Sequence, residues 1–272
     1  MEHAINPWVV FKVIERVYAL SSDDIREMVS LAQYHLTVTP NSPAWIRGVI
    51  NLRGKIIPVI DLRVRLGYHS LPEEMTALAA TLKQREEDHH KWVAELERCV
   101  KENCEFKLTT DPHKCKFGVW YDQFKTEDQA LSVLLQSFDT PHKAIHAAGK
   151  QVIDLMSQGQ SAQAQEVVTR LHGAEMQTMV RLFGELIATV QEPSREIAMV
   201  LDGGGRNLAL AVDAVTSVEH LKLEPLPDFI EGVSRDIVSG IGHAAKGDEI
   251  ILILNAEALL GDVAAGEISV GE

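Results

Sequence analysis

Leu78, Leu82, Arg85, His89, Trp92, Leu96 and Cys99 follow a strict 4-3-4-3 spacing. Side chains at that spacing line one stripe of a helix, the seam by which it packs in a bundle. On either side of this region the period changes to two. Residues 8–66 and 195–260 are rich in apolar runs bounded by glycine, as strands and turns are. Such an order of periods constrains the chain to a β-protein interrupted by helices. Residues 1–70 and 193–272 are expected to be two parts of one β-domain, with 71–192 inserted as a helical bundle.

Within the first β-segment, Trp8 to Leu20 breaks at Glu15-Arg16 and predicts a hairpin. Asp23 to Leu31 predicts a short helix capped by Ser22 or Asp23. Two glycine-bounded runs, Ile46 to Leu52 and Gly54 to Leu62, predict strands. In the second segment Ile197, Met199 and Leu201 alternate up to Gly203-Gly204-Gly205, and Leu208, Leu210 and Val212 alternate on the return. That pattern predicts a half-buried hairpin. Ile250 to Leu254 predicts another strand, and Asn255 a cap for a short helix through Leu260.

A second helical seam runs through Leu135, Phe138, His142, Ile145, Gly149, Val152 and Met156. A third helix is expected over about residues 162–190, carrying Val167, Leu171, Met179, Phe183 and Ile187. A shorter one is expected to start near Asp111-Pro112, since proline suits a first helical turn. Four helices run up and down return the chain close to its starting point. An even-numbered bundle can therefore occupy a surface loop of a β-domain.

The formal charge of −13 argues against a nucleic-acid backbone as partner and favours basic patches on proteins. No run approaches the roughly 18 apolar residues that span a bilayer, so no direct membrane insertion is expected. Met1 to Val10 lacks a basic region followed by an apolar run, so no secretory signal is expected. Three cysteines, an odd number, point to a reducing compartment, and the cytoplasm is expected. No nucleophile with an adjacent base stands out, and no helix follows the triple glycine to make it a phosphate loop. Glu86, Glu87 and Asp88 read as a solvated face rather than a catalytic group.

His142 and His146 are four apart and project from one helical face. His89 occupies a seam position among Leu82, Trp92 and Leu96, with His90 rotated about 100° away. Cys115 is the soft donor that zinc favours, placed near a helix start where the dipole stabilises a thiolate. Cys99 lies about 15 Å along the helix from His89, which makes it a poor fourth ligand. His113, two residues before Cys115, and His90 stand as substitutes.

These residues reach a known family. His89-x-x-Trp92, then Cys115-Lys116-Phe117-Gly118-Val119-Trp120, then His142-x3-His146, resembles the chemoreceptor zinc-binding (CZB) domain. The resemblance covers about residues 74–190. It implies a helical bundle whose zinc is held by His89, Cys115, His142 and His146. A site with four protein ligands has no open position for substrate water, which argues against an enzyme. It offers a redox switch at Cys115 instead, because an oxidised thiolate is a poor ligand. Related domains are implicated in zinc and oxidant (hypochlorous acid) sensing, and they dimerise. A homodimer through the bundle is therefore expected.

The flanking segments resemble the CheW-like adaptor of bacterial chemotaxis. The resemblance sits in Tyr18-Ala19-Leu20, in Asp24 to Glu27, in Ile46 to Arg63, in Leu210 to Val215 and in Ile250 to Asn255. It implies an α+β multidomain chain of two SH3-like five-stranded β-barrels, interrupted by an antiparallel four-helix-type zinc bundle. It also implies partners: a CheA-like histidine kinase and methyl-accepting chemoreceptors. Arg53 and Gly54, with Arg47 and Asp61, are the candidate partner-binding residues, although Arg47 and Asp61 could equally satisfy local backbone groups. The expected function is a non-enzymatic chemotaxis adaptor whose inserted domain senses zinc or oxidant. The alternatives are an adaptor whose zinc is purely structural, and a zinc-dependent enzyme.

Overall fold

The computed structural model describes residues 6–192, 196–203, 206–228, 234–245 and 249–265. The chain divides into two compact units, residues 1–73 with 193–272, and residues 74–192.

The first unit is built from strands β1 (Trp8–Val13), β2 (Arg16–Ser21), β3 (Ile25–Ser30), β4 (Ile46–Leu52) and β5 (Lys55–Asp61), followed by helix α1 (Leu62–Arg65). From the C-terminal part of the chain come β6 (Ile197–Asp202), β7 (Asn207–Val212), β8 (Ala214–Glu219), β9 (Leu221–Pro225), β10 (Val238–Ala244) and β11 (Ile250–Leu254). One sheet has the order β8-β1-β2-β11-β10-β9. Its two edges, β8 and β9, are separated only by His220, so one bent strand closes five strands into a barrel. The other sheet has the order β3-β6-β7-β5-β4, and a bridge from Thr37, beyond β3, to Val49 on β4 closes it in the same way.

Each barrel has one parallel pair, Tyr18 beside Leu252 in the first and Val59 beside Ala209 in the second. In both, that pair joins a strand from the N-terminal part to one from the C-terminal part. Neither barrel can form from one flank of the helical unit alone.

The hairpin β6–β7 is buried on both faces, not half-buried as its alternation predicts. Ala198, Val200, Ala209 and Ala211 fill one cluster with Ile50, Ile57 and Val59. Met199, Leu201, Leu208, Leu210 and Val212 join a second cluster with Phe11, Tyr18 and Leu20 of the other barrel. The small residues fill the interior of a barrel while the large ones form the seam between barrels, so both phases are apolar. Of its expected turn, Gly204 and Gly205 lie outside the described residues.

The expected helix over Asp23 to Leu31 is a strand. Ser22–Asp24 forms a helical turn, capped by the Ser21 hydroxyl, which accepts from the Asp23 amide, and a second turn, Leu31–Gln33, starts where the expected helix would end. Ile25–Ser30 pairs with β6 over its length. Local propensity favoured a helix there, and the non-local ladder outweighed it. At the other end, the Asn255 side chain caps α8 (Ala256–Ala265) by accepting from the Ala258 amide at 3.2 Å.

The second unit contains α2 (Leu71–Glu102), α3 (Lys116–Gln123), α4 (Gln129–Gln136), α5 (Asp139–Ser157), α6 (Ser161–Gly173) and α7 (Glu175–Gln191). Ser70 and Glu73 open α2 as a reciprocal capping box, each side chain accepting from the other's amide. The expected helix over 162–190 is interrupted at Ala174, whose φ of −125° and ψ of −72° leave the helical region. The expected helix from Pro112 begins later, at Lys116. The seams of α2 and α5 meet in one core that includes Leu82, Leu96, Phe138, Ile145, Val152 and Phe183. Among the described residues, no helix is long and apolar enough to cross a membrane.

Candidate metal centre

His89, Cys115, His142 and His146 come together in the helical unit, their donor atoms all within 4.8 Å of one another. Three elements bring them there. His89 lies on the buried stripe of α2, whereas half of the neighbouring His90 side chain is exposed. His142 and His146 stand one turn apart on the inner face of α5. Cys115 is the N-cap of α3, and its sulfur accepts from the Gly118 amide at 3.1 Å.

Tight packing fixes these positions. A Cβ on Gly118 would lie 1.7 Å from the Pro112 carbonyl oxygen, so only glycine lets the 103–115 connection lie against α3. A Cβ on Gly149, one turn beyond His146, would strike the Trp92 ring at 2.4 Å. Trp92 in turn donates its Nε1–H to the Thr109 carbonyl at 2.8 Å. Phe117 sets its edge against His142 and His89, at ring separations of 4.9 and 5.5 Å.

The electrostatics favour neutral donors. Burial pushes His142 down to about 3, helped by His89 and His146, and pushes His146 down to about 4. His89 is lowered too, again mainly by burial. Its Nδ1 lies 2.8 Å from the Arg85 carbonyl, which places the ring proton there and leaves the Nε2 lone pair facing the cluster. The His89 Nε2 and both His146 nitrogens are buried without a hydrogen-bond partner. A buried imidazole nitrogen with a free lone pair is costly unless something accepts that lone pair, and a metal ion would do so for one nitrogen of each ring.

Cys115 departs from the expected stabilised thiolate. The amides of Gly118 and Phe117 pull its pKa down, but burial outweighs them and raises it. Without a metal the thiol keeps its proton, which can be donated to the Pro112 carbonyl at 3.4 Å. Its sulfur is 3.2 Å from His142 Nε2, and it is the one member of the cluster that is partly exposed. The substitutes considered from sequence lie elsewhere. His113 pairs with Asp122 at 2.9 Å on the surface.

The candidate partner-binding residues divide. Arg53 and Gly54 form the two-residue turn between β4 and β5, with the Arg53 side chain 78% exposed and paired to Glu27 at 2.9 Å. Asp61 is instead buried, where its Oδ1 caps α1 by accepting from the Val64 amide. Arg47 reaches inward to Glu196 at 2.7 Å and to Asp61 at 3.9 Å. Asp61 thus caps its own helix, and Arg47 is paired with a residue 149 positions away. Sequence reading gave no role to Arg63, which is buried and holds Asp213 through two bonds of 2.7 Å. Asp213 also accepts from the Ile14 amide, so this fork links α1 to the turns after β7 and β1.

The sequence matches the family model of the CheW-like domain over residues 7–87 and 162–264. It matches that of the chemoreceptor zinc-binding domain over residues 89–153. A probable chemotaxis protein CheW from Rhizobium etli is 37% identical over 69 residues, 25% of this chain and 42% of that protein. The chemotaxis protein CheW of Thermotoga maritima is 38% identical over 68 residues, 25% of this chain and 44% of that one. The chain thus spans less than half the length of these curated relatives. The crystal structure of the scaffolding protein TtCheW from Thermoanaerobacter tengcongensis is 19% identical, covering 92% of this chain and 88% of that one with a TM-score of 0.42. Zinc is the metal of the matched helical domain, and the donor set of three imidazoles and one thiol suits it. With its barrels built from both flanks and a zinc-binding domain inserted in sequence between them, the chain belongs to the CheW-like domain family.

Proposed function

We propose that this chain is a cytoplasmic, non-enzymatic adaptor that couples chemoreceptors to a histidine kinase, and that its helical unit adjusts this coupling to zinc or oxidant. The observation that carries the sensing half is the donor cluster, three buried histidines and a partly exposed cysteine held by three separate elements. His89, Cys115, His142 and His146 are the proposed ligands. These residues would hold zinc between α2, α3 and α5, and the bound ion would favour the Cys115 sulfur as a thiolate.

The chain's own residues then set the response. The three imidazoles lie neutral and oriented, so ligation requires a proton to leave only Cys115. Cys115 is also the ligand within reach of solvent. Attack of its thiolate on hypochlorous acid forms an S–O bond and releases chloride, giving a sulfenic acid and removing one donor of four. Loss of that donor frees the cap of α3, which meets the rest of the bundle through Phe117. The apolar seams of α2 and α5 are used inside the unit, so pairing of two copies rests on the family resemblance alone.

Zinc per chain tests the site. Elemental analysis of protein purified under reducing conditions is expected to find about one zinc, and much less in Cys115→Ala. Kinase output in reconstituted receptor arrays tests the function. Output that is the same in the parent and Cys115→Ala, across chelator and oxidant conditions, would leave the zinc structural and reject regulation.

A further inference from the structure

The C-terminal end of α2 carries a second sulfur site. Glu102 is its last helical residue, and Asn103 follows in the left-handed region at φ 51°. The Cys104 amide then donates back to the Cys99 carbonyl at 3.0 Å. This closure is a Schellman motif, which brings the side chains at its two ends into contact. That contact is commonly apolar. Here it joins two thiols, with Cys104 Sγ 2.8 Å from Cys99 Sγ. Cys99 is buried and Cys104 is partly exposed. Neither belongs to the cluster formed by Cys115 and the three histidines.

We propose that Cys99 and Cys104 form a reversible dithiol–disulfide pair, a redox site distinct from the metal centre, whose oxidant is a peroxide. The order of steps follows from the surroundings. Cys99 lies among Glu95, the Glu105 carbonyl, Cys104 and Arg98, and burial, Cys104 and Glu95 push its thiol up to about 12 against the pull of the Arg98 guanidinium. It is a poor first nucleophile. Cys104 is the sulfur that solvent reaches, and its thiolate attacks hydrogen peroxide. An S–O bond forms as the O–O bond breaks, and the leaving hydroxide takes up the proton that the Cys104 thiol lost on ionising, so a sulfenic acid and water result. Cys99 then attacks the Cys104 sulfur, the S–S bond forms, the S–O bond breaks, and the Cys99 proton leaves with hydroxide as a second water. Two thiols are oxidised to one disulfide while one peroxide is reduced to two waters.

The contact makes the second step intramolecular and gives it precedence over further oxidation of Cys104. The disulfide would also tie the helix end to the connection that runs on to Cys115.

Peptide mapping tests the pair in the full-length, zinc-loaded protein. After brief hydrogen peroxide treatment and alkylation of free thiols, trypsin cuts after Arg98, Lys101 and Lys107. The expected product is peptide 99–101 joined to peptide 102–107, lighter by two hydrogens than their sum and separated by a small dithiol. It should be absent from Cys104→Ser, with zinc content unchanged, because Cys104 lies outside the cluster. The map of the parent decides even if that variant folds poorly. Cys99 and Cys104 recovered alkylated while Cys115 is oxidised would overturn the pair, as would a cross-link from either to Cys115. The proposal does not depend on the zinc reading, since a parent without zinc can still form the cross-link.

Discussion

Arg47 lies between two buried carboxylates, and the unequal shares they receive have a measurable result. Its guanidinium is 2.7 Å from Glu196 but 3.9 Å from Asp61, whose Oδ2 has no hydrogen-bond partner. Burial is the largest influence on Asp61 and raises its pKa, while the Val64 amide and Arg47 pull it partly back. A carboxyl whose folded pKa exceeds its unfolded one binds the extra proton in the native state. Its contribution to stability is therefore full below the ordinary carboxylate range and declines as pH rises through the folded pKa. Asp61→Asn keeps an oxygen for the Val64 amide and never ionises. Its urea midpoint is expected to match the parent's near pH 3 and to gain on it as pH rises to neutrality. Parallel curves would mean that Arg47 already compensates the charge. The capping role was partly legible, since Asp61 ends an apolar run just before Leu62-Arg63. The buried Glu196 that divides Arg47's attention was not, because 149 positions separate the two residues.

At the level of elements, the turn between β4 and β5 is where the folding role of a residue can be tested apart from its proposed binding role. Arg53 and Gly54 have φ of 53° and 84°, as a two-residue hairpin loop with both positions left-handed requires. Asn51 Oδ1 supports it by accepting from the Gly54 amide at 2.8 Å. An arginine there carries strain of about 1 kcal/mol that glycine would not. Arg53→Gly is expected to hold or raise the melting temperature while weakening kinase or receptor binding about tenfold, the scale of one lost charged contact. Binding unchanged in that variant would reduce Arg53 to a turn residue. Elements were legible wherever one period dominated. The three histidines of the candidate donor cluster showed through because a heptad seam and an i, i+4 pair fix which way side chains point. Misreadings fell where non-local pairing decided: β3 holds residues that suit a helix, yet β6 supplies its ladder. The break at Ala174 follows no proline, and the contact of Cys99 with Cys104 depends on a left-handed Asn103 that spacing does not reveal.

For the molecule as a whole, two compact units with separate cores imply that the metal acts on one of them first. The aromatic and aliphatic cluster around Phe117 and Phe183 belongs to the helical unit, and the clusters around Tyr18 and Val59 belong to the barrels. A ligand that binds only the native state stabilises it by about 4 kcal/mol when present at 1,000 times its dissociation constant. In a unit of ordinary size that moves the melting temperature by about 10–20 °C. Calorimetry is therefore expected to show two transitions in the zinc-loaded chain. A chelator should lower one by that amount and leave the other in place, and Cys115→Ala should behave as the chelated parent. Far-ultraviolet circular dichroism identifies which transition is helical. A single transition that moves as one would mean that the barrels, each assembled from both flanks of the insert, melt together with it. In that case the state of the metal centre would reach the β4–β5 turn, the proposed partner contact, through global stability. With two independent transitions, any signal must instead travel as a local change at α3 or at the two strands of chain that join the units, and those are the places to mutate next.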